Sequence, residues 1–323
     1  MEHTTHTRVI AAPPDDVYRV VADVSRWPVV FGPTVHVHHL ERDERAERFR
    51  LWAVVAGEVA AWISRRDLDP VARRIEFRQE HSRPPVAAMS GTWSFQPHGY
   101  GGTEVVLDHR FSVTDASARD TLVAAVDRNS TEELAALGRI TELGHPVDEV
   151  IDTFSDTVVL DGELADVYEF VHRSDLWPDR LPHVARVELT EDAAGVQHME
   201  MDTITADGTA HTTRSIRVCH PGESIAYTQL VPPAMLLGHS GHWTFRRVGR
   251  GVEATATHTV AIDPEAARAQ LGEHSTLADA RAYLRENLGA NGRATLSHAG
   301  AFAHLQGRVL PPHPAPGVLP SVE

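Results

Sequence analysis

Apolar and polar positions along the chain follow one order of patterns twice. An alternating segment opens each half, at residues 7–11 and 153–160, and a short amphipathic segment follows it. Several more alternating segments come next, as expected of antiparallel strands joined by glycine-containing turns. Each half then closes on a long helical pattern, at residues 117–143 and 264–303. The pattern predicts two α+β units, each a curved antiparallel sheet wrapped around its last helix.

Three short motifs recur in the two halves at one spacing. Asp-Val-Tyr at 16–18 returns at 166–168, Trp-Pro at 27–28 returns at 177–178, and the tryptophan-centred stretch 90–95 returns at 240–245. Every pair is 150 residues apart, and a fixed spacing between repeated motifs indicates copies of one structural unit. We therefore expect two copies of one domain, at residues 1–146 and 150–306, followed by a proline-rich tail at 307–323.

Composition narrows the class of function. The 323 residues include 45 acidic and 30 basic side chains, and the formal net charge of −15 argues against a nucleic-acid or anionic-membrane partner. Every basic residue is Arg, which excludes a lysine Schiff base and a phosphate-loop lysine. The single cysteine, Cys219, has no partner for an intramolecular disulfide. The chain carries no secretion-signal pattern and no apolar run that would span a bilayer, so we expect a cytoplasmic protein.

A set of motifs identifies a family that this order of elements resembles. The motifs are Val17-Tyr18 followed by Trp27-Pro28, the Trp62-x-Ser64-x-Arg66 strand, and the Trp-Ser/Thr-Phe strand of Trp93 and Trp243. In this order they resemble the START-like, or helix-grip, superfamily, and more closely the two-domain aromatase/cyclases of bacterial type II polyketide synthases. The resemblance covers nearly the whole chain except the tail, and the tandem arrangement makes it specific.

The resemblance implies two tandem helix-grip domains, each with a cavity between its sheet and its long C-terminal helix. It implies an enzyme that directs the first-ring aldol cyclisation of a poly-β-ketone, between carbons 7 and 12, or dehydrates the closed ring to an aromatic one, or both. It implies neither a metal nor an organic cofactor.

The same resemblance implies partners. An acyl carrier protein, usually acidic, would deliver the substrate, and other components of the synthase would be further partners. Arginines on the predicted strands, among them Arg48, Arg65 and Arg78, offer a docking patch for such a carrier despite the negative net charge. A solvated strand edge is the alternative.

Two strand arginines are the first candidates for catalysis. Arg66 matches the strand arginine of the family, and Arg217 is its best match in the second copy. Strand alternation puts Trp62, Ser64 and Arg66 on one face, and likewise Thr213, Ser215 and Arg217. Because a guanidinium stays protonated, we assign both arginines to carbonyl polarisation and oxyanion binding. The alternative is an ion-paired strand arginine.

The carrier of protons must be another residue. Some single-domain relatives place a Tyr seven residues after the motif Trp, and this chain has Thr34 and Val184 at those positions. The neighbouring His36 and His183 are therefore the candidate proton carriers, because histidine titrates near neutral pH. With 21 histidines in the chain, bystander residues are the alternative.

Other residues are expected to contact the substrate. Asn291 in the last helix matches a helix asparagine of the family, and the first copy is expected to have Ala135 there, so the second copy would keep the fuller polar set. The remaining expected contacts are Trp27, Phe31, Thr34, Trp62, Ser64, Trp93, Trp177, Val184, Met201, Ser215, Tyr227, Met235 and Trp243. No metal site is expected, because His36 and His38 lack a third ligand at a recognisable spacing.

Two other classes of function stay open at this point. One is a noncatalytic carrier of a hydrophobic small molecule, and the other is a tandem structural module with filled cores. Polar groups inside a cavity would favour the enzyme over both.

Overall fold

The structure is a computed structural model that describes residues 1–55, 57–192, 195–204 and 210–309. Most of the tail expected at 307–323 lies outside the described residues, while 307–309 continue the last helix. No helix of the described part combines the length and apolarity needed to cross a membrane.

The described strands form two sheets of the same topology. In each sheet the second to seventh strands make an antiparallel meander, and the first strand pairs with the seventh. The first sheet contains β1 (Glu2–Ile10), β2 (Thr34–Arg42), β3 (Ala46–Val55), β4 (Glu58–Asp69), β5 (Arg74–Gln79), β6 (Val86–His98) and β7 (Gly102–Val113). The second contains β8 (Ile151–Asp161), β9 (Val184–Glu191), β10 (Val196–Ile204), β11 (Ala210–His220), β12 (Ser224–Val231), β13 (Leu236–Val248) and β14 (Gly251–Ile262). The predicted α+β class with tandem antiparallel sheets is confirmed.

The α-helices of the described residues are α1 (Pro14–Ala22), α2 (Trp27–Val30), α3 (Arg119–Thr141), α4 (Val147–Val150), α5 (Leu164–His172), α6 (Trp177–Arg180), α7 (Pro264–Leu271) and α8 (Leu277–Val309). Three pairs of helices correspond between the two halves, namely α1 with α5, α2 with α6 and α3 with α8. The helix α4 lies at the junction of the predicted domains, whose exact boundaries stay a prediction.

The prediction of a single helix over 264–303 is wrong, because a turn separates α7 from α8. Gly272, with φ of 110°, ends α7 in a conformation that favours glycine. Thr276 and Asp279 then begin α8 with reciprocal bonds between each side chain and the other residue's backbone N–H. The extra helix shifts the correspondence between the two halves after the last strand.

The long helix of each half packs on the inner face of its sheet. In the first half Leu134 and Leu137 of α3 are buried in the core under the sheet, and in the second Leu296 and Ala299 of α8 take the equivalent places. Leu296 follows Leu134 by 162 residues, and Ala299 follows Leu137 by the same number, whereas the strand motifs repeat after 150 residues. The difference reflects the insertion of α7 before α8.

The two halves share buried surface. Val29 and Val30 of α2 lie in one apolar cluster with Met235 and Leu236 of the second half. A Cβ at Gly238 would come within 2.3 Å of the Val29 carbonyl oxygen, so this approach of backbones requires glycine. The packing joins the sheet of the second half to the short helix that follows the first Trp-Pro motif.

Candidate functional site

A cavity of about 210 Å³ lies between the first sheet and α3. Its wall is predominantly apolar, as is typical of a site for an organic ligand. Seven of the residues predicted to contact substrate or to catalyse lie in the wall: Trp27, Phe31, Thr34, Trp62, Ser64, Arg66 and Trp93. The open space argues against the module with filled cores, and substrate contact by these residues stays a prediction.

Polar side chains that the sequence did not single out complete the wall. They are Gln79 on β5, Arg83 between β5 and β6, His109 on β7, and Asn129, Ser130 and Glu133 on α3. The three α3 residues are spaced so that they share one helix face. The strands therefore supply mainly rings and aliphatic groups, and the helix supplies an amide, a hydroxyl and a carboxyl group.

Glu133 is the ionisable carboxyl group of this wall. Burial, and less strongly the neighbouring Glu132, raise the pKa of Glu133 to about 7. No cation pairs with it among the residues that the structure describes. A carboxyl group with this pKa both accepts and releases a proton near neutral pH, which is what a general base and acid requires.

His109 faces the same space as a neutral ring. Its Nδ1 lies 3.5 Å from Ser130 Oγ, and its ring meets the Phe77 ring edge-on at 5.4 Å between centroids. Burial, followed by the nearby His6, lowers the pKa of His109 to about 4. At neutral pH the imidazole is thus a hydrogen-bonding group and carries no charge.

Arg66 has its hydrogen bonds within the protein. Its Nε donates to Glu47 Oε1 at 2.7 Å, and its two terminal nitrogens donate to the carbonyl oxygens of Val21 and Ala22, each at 2.7 Å. The guanidinium also lies 5.0 Å from the centroid of the Trp27 ring. Arg66 thereby ties the end of α1 and the Trp27 side chain to β4. The geometry matches the ion-paired alternative, and the oxyanion role stays a prediction.

Arg217 is confirmed as the structural counterpart of Arg66. Its terminal nitrogens donate to the Val171 carbonyl oxygen and to Ser174 Oγ, both at 2.6 Å, at the end of α5. The position of Glu47 is taken by Gln197, which stands opposite Arg217 in the ladder. Among the described residues no carboxylate forms an ion pair with this buried guanidinium.

His36 lies outside the cavity, contrary to its assignment as proton carrier. Its ring is 5.1 Å from the His242 ring of the other half and 5.3 Å from the Trp52 ring. The register of β2 shifts between Thr34 and His36, so Thr34 faces the cavity while His36 turns toward the interface. Burial, then the charge of His242, lower the pKa of His36 to about 3.

His183 is half-buried in the turn before β9. Its carbonyl oxygen accepts the backbone N–H of Ile204, and burial together with His298 of α8 lowers the pKa of the ring. Its role as a proton carrier stays a prediction.

The other predicted residues of the second half divide into three groups. Those in or against its core are Trp177, Val184, Met201, Tyr227 and Trp243, and Ser215 is buried on β11. Met235 instead packs in the cluster shared by the two halves. Asn291 is exposed on α8.

The expected asymmetry between Asn291 and Ala135 is wrong. Ser130 Oγ contacts His109, and a Cβ at Gly292 would lie 3.4 Å from Nε2 of His258, which is the repeat of His109. Asn129 therefore corresponds to Asn291, and both halves have an asparagine at this place. The sequence comparison paired the wrong residues because the inserted helix α7 changes the spacing between α3 and α8.

The recurrence of His109 as His258 is a sequence signal that would have identified one missed wall residue. Glu133 has no such signal, because Thr295 stands at the corresponding place on α8. Among the described residues, no three His, Cys, Asp or Glu side chains group closely enough to hold a metal ion.

Comparison with known proteins places these features in a family. Residues 1–142 and 160–275 each match a family model described as polyketide cyclase / dehydrase and lipid transport. The granaticin polyketide synthase bifunctional cyclase/dehydratase of Streptomyces violaceoruber is 53% identical over 306 residues, which are 94% of each chain. The actinorhodin polyketide synthase bifunctional cyclase/dehydratase of Streptomyces coelicolor is 52% identical over 94% of this chain and 97% of its own.

A solved structure agrees with these relatives. The crystal structure of the di-domain ARO/CYC BexL from the BE-7585A biosynthetic pathway superposes with a TM-score of 0.79 at 44% identity. The match covers 94% of this chain and 99% of that one, so the similarity extends over both halves.

Proposed function

This chain belongs to the polyketide cyclase/dehydrase family in its tandem two-domain form, and we propose that its first domain closes the first ring of a poly-β-ketone with Glu133 as the proton carrier. The observation that carries the proposal is a carboxyl group with a pKa near 7 in the wall of a predominantly apolar cavity. The dehydration that follows belongs to the same overall function.

The cavity wall supplies orientation. A poly-β-ketone is flexible and can close in several registers, so a shaped apolar surface that holds one of them removes much of the barrier. Phe31, Trp62 and Trp93 present large faces to the cavity. Closure between carbons 7 and 12 is the register that we propose, and the substitution pattern of the product tests it.

Glu133 supplies the chemistry of ring closure. Its carboxylate removes a proton from a methylene group between two carbonyls, and the resulting enolate carbon forms a bond to a distant ketone carbon. The ketone oxygen becomes an alkoxide and receives the proton back from the Glu133 carboxyl group. The side chains of Gln79, Asn129 and Ser130 are donors for the charged oxygens that develop during these steps.

Delivery by an acyl carrier protein forms part of the proposal, and the outer face of the first sheet supports it. Arg48, Arg65 and Arg78 stand directly opposite one another on β3, β4 and β5, and Ser90 and Arg110 extend the row over β6 and β7. Like charges opposite one another cost stability, so an acidic partner would stabilise the row. Within the described residues, Arg65, Arg78 and Arg110 have no ion pair.

The substitution Glu133→Gln tests the proposal, with Glu132→Gln as the matched control on the exposed side of α3. In a reaction reconstituted with the synthase components, Glu133→Gln should slow formation of the cyclised product by about 10²–10⁴-fold, because a general acid and base contributes that much. Glu132→Gln should stay close to the unsubstituted protein. A folded Glu133→Gln protein with full cyclisation would refute the assignment.

The hypothesis of a noncatalytic carrier predicts the opposite result. A carrier of an apolar ligand has no use for an ionisable group inside its cavity, so Glu133→Gln would leave ligand binding unchanged or tighten it, and the unsubstituted protein would form no new product.

A further inference from the structure

The inner face of the second domain carries buried polar atoms that have no hydrogen-bond partner. Four of them are Ser215 Oγ, Gln229 Oε1, His239 Nδ1 and His258 Nε2. Buried polar atoms in folded proteins are almost always paired, so four such atoms on one face require an explanation.

The corresponding positions of the first domain differ. Ser64 Oγ accepts a hydrogen bond from Trp62 Nε1, Gln79 Oε1 accepts one from Ser82, and His109 contacts Ser130. Met89 replaces the fourth polar residue, His239. Each place is thus paired or apolar in the first domain and carries an unpaired polar atom in the second.

The unpaired atoms belong to neighbouring residues of the sheet. Ser215 on β11 stands opposite Gln229 on β12, two positions from Tyr227. Tyr227 stands opposite Gly241 on β13, and Gly241 stands opposite His258 on β14. The four strands therefore present one continuous polar patch toward α8.

The helix α8 places no side chain opposite His258. Gly292 of α8 faces His258, so the place that the Ser130 hydroxyl occupies in the first domain has no side chain here. The Tyr227 ring occupies the space over Gly241, where any Cβ would lie 2.2–2.3 Å from ring atoms, and Tyr227 remains partly accessible. The partly accessible tyrosine thus lies beside His258.

We assign the protons of the two histidines so that both neighbours of His258 Nδ1 donate to it. Tyr227 Oη lies 3.3 Å and His239 Nε2 lies 3.1 Å from the same atom, Nδ1 of His258. Two donors converge if His258 Nδ1 is the acceptor, which places the His258 proton on Nε2 and the His239 proton on Nε2. The patch then presents a bare acceptor, His239 Nδ1, and an unpaired donor, His258 Nε2–H.

Both rings are neutral. Burial and the proximity of His258 lower the pKa of His239 to about 3, and burial lowers the pKa of His258 to about 4. At neutral pH each ring therefore carries one N–H donor and one unprotonated nitrogen.

We infer that this patch is a second active site, at which His239 and His258 dehydrate the hydroxyketone ring that the first domain has closed. The inference rests on the proposed function and adds a division of labour between the two domains. Ser215 and Gln229 provide a donor and an acceptor for the oxygen atoms of that ring.

In this dehydration the two histidines account for every proton that moves. His239 Nδ1 takes the proton from the carbon between the carbonyl and the carbon that bears the hydroxyl group, and the C–H electron pair forms the new double bond. His239 passes its Nε2 proton to His258 Nδ1, and His258 gives its Nε2 proton to the departing hydroxyl group. The C–O electron pair leaves with that oxygen as water. Both rings end as the other neutral tautomer and return through proton exchange with water.

The test uses the full chain in a reaction reconstituted with its synthase components. Products are separated by mass into the closed ring that retains the water and the dehydrated aromatic ring. The variants His239→Gln and His258→Gln remove the relay, and Gly292→Ser keeps both histidines but places a hydroxyl group beside His258 Nε2. His198→Gln on β10 is the control, because His198 is exposed in the same domain.

The three variants should lower the ratio of dehydrated to hydrated ring by at least about tenfold while total ring closure stays unchanged. An unchanged ratio in folded His239→Gln and His258→Gln proteins overturns the inference, as does equal loss of closure and dehydration. If the unsubstituted protein closes no ring at all, the proposed function itself fails.

A second measurement tests the proton positions. The ¹⁵N shifts of the histidine rings in the intact protein should show His239 and His258 both protonated at Nε2. Protonation of His258 at Nδ1 would leave the relay without its donor and contradict the inference.

Discussion

Glu47 and Arg66 form a buried ion pair across β3 and β4, with 2.7 Å between Glu47 Oε1 and Arg66 Nε. The second domain repeats the arginine and its contacts to the end of the preceding helix, but Gln197 replaces the carboxylate. The pair fixes α1 and the Trp27 side chain against the sheet, and these elements form one side of the cavity. We expect its first effect to be on stability.

Removal of the carboxylate should expose that effect. Glu47→Ala leaves a buried guanidinium without its counter-charge, so the free energy of unfolding should fall by about 3–5 kcal/mol. Denaturant unfolding measures the change, and Glu44→Ala in the exposed β2–β3 turn is the control, with a change within about 0.5 kcal/mol. Equal losses for the two variants would contradict the structural role of the pair.

Ionisation of Glu133 should raise the rate of ring closure and lower the stability of the folded state. As a general base it acts as the carboxylate, so the rate of ring closure should fall as pH drops through about 7. In the folded state this pKa is raised above its ordinary value of 4.5, so the unfolded chain releases the proton first as pH rises. The folded state is therefore destabilised between about pH 4.5 and 7, and fully so above that window.

Glu133→Gln removes this penalty. At pH 8 the variant should gain on the order of 1–3 kcal/mol in the free energy of unfolding while it loses cyclisation, and at pH 4 the two proteins should have similar stability. Unfolding curves at both pH values provide the measurement. A variant that is less stable than the unsubstituted protein at pH 8 would show that the Glu133 carboxylate is stabilised by the fold.

The arginine row should control the approach of a carrier-bound substrate. Replacement of the exposed Arg78 and Arg110 by Glu reverses two charges of the row and should raise KM for the carrier-bound substrate by about tenfold at low salt, with kcat little changed. The difference should shrink as ionic strength rises. Arg250→Glu in the β13–β14 turn is the control. Unaltered KM in the double variant would remove the row as a docking surface.

Repetition made the architecture predictable and also limited the prediction of the site. Features present in both halves, such as the Trp27 and Trp177 motifs and the faces of Arg66 and Arg217, stand out in the sequence and occupy equivalent places in the fold. Glu133 occurs in one half only, so comparison of the halves gives no indication of it.

Local irregularities account for the remaining errors. Strict alternation puts Thr34 and His36 on one face, but a bulge in β2 separates them. The insertion of α7 moved the helix register, and so Ala135 was paired with Asn291 in place of Asn129. A bulge and an inserted turn depend on packing against the rest of the domain, which periodicity along one segment does not contain.

His36 should make the contact between the domains sensitive to acid. Its ring lies against His242 and Trp52, and His38 and His220 are also close enough to act on these rings. In the unfolded chain it takes up a proton as pH falls through about 6.5, whereas in the folded state its pKa is about 3. Between these values the unfolded state binds more protons, so stability falls as pH falls, by up to about 1.4 kcal/mol per pH unit for this one residue.

His36→Gln should reduce the slope of the unfolding free energy between pH 6 and pH 4 by that amount, while exposed His198→Gln should leave it unchanged. Denaturant unfolding at a series of pH values gives the slopes, and equal slopes for His36→Gln and the unsubstituted protein would show that protonation of His36 has no part in acid unfolding.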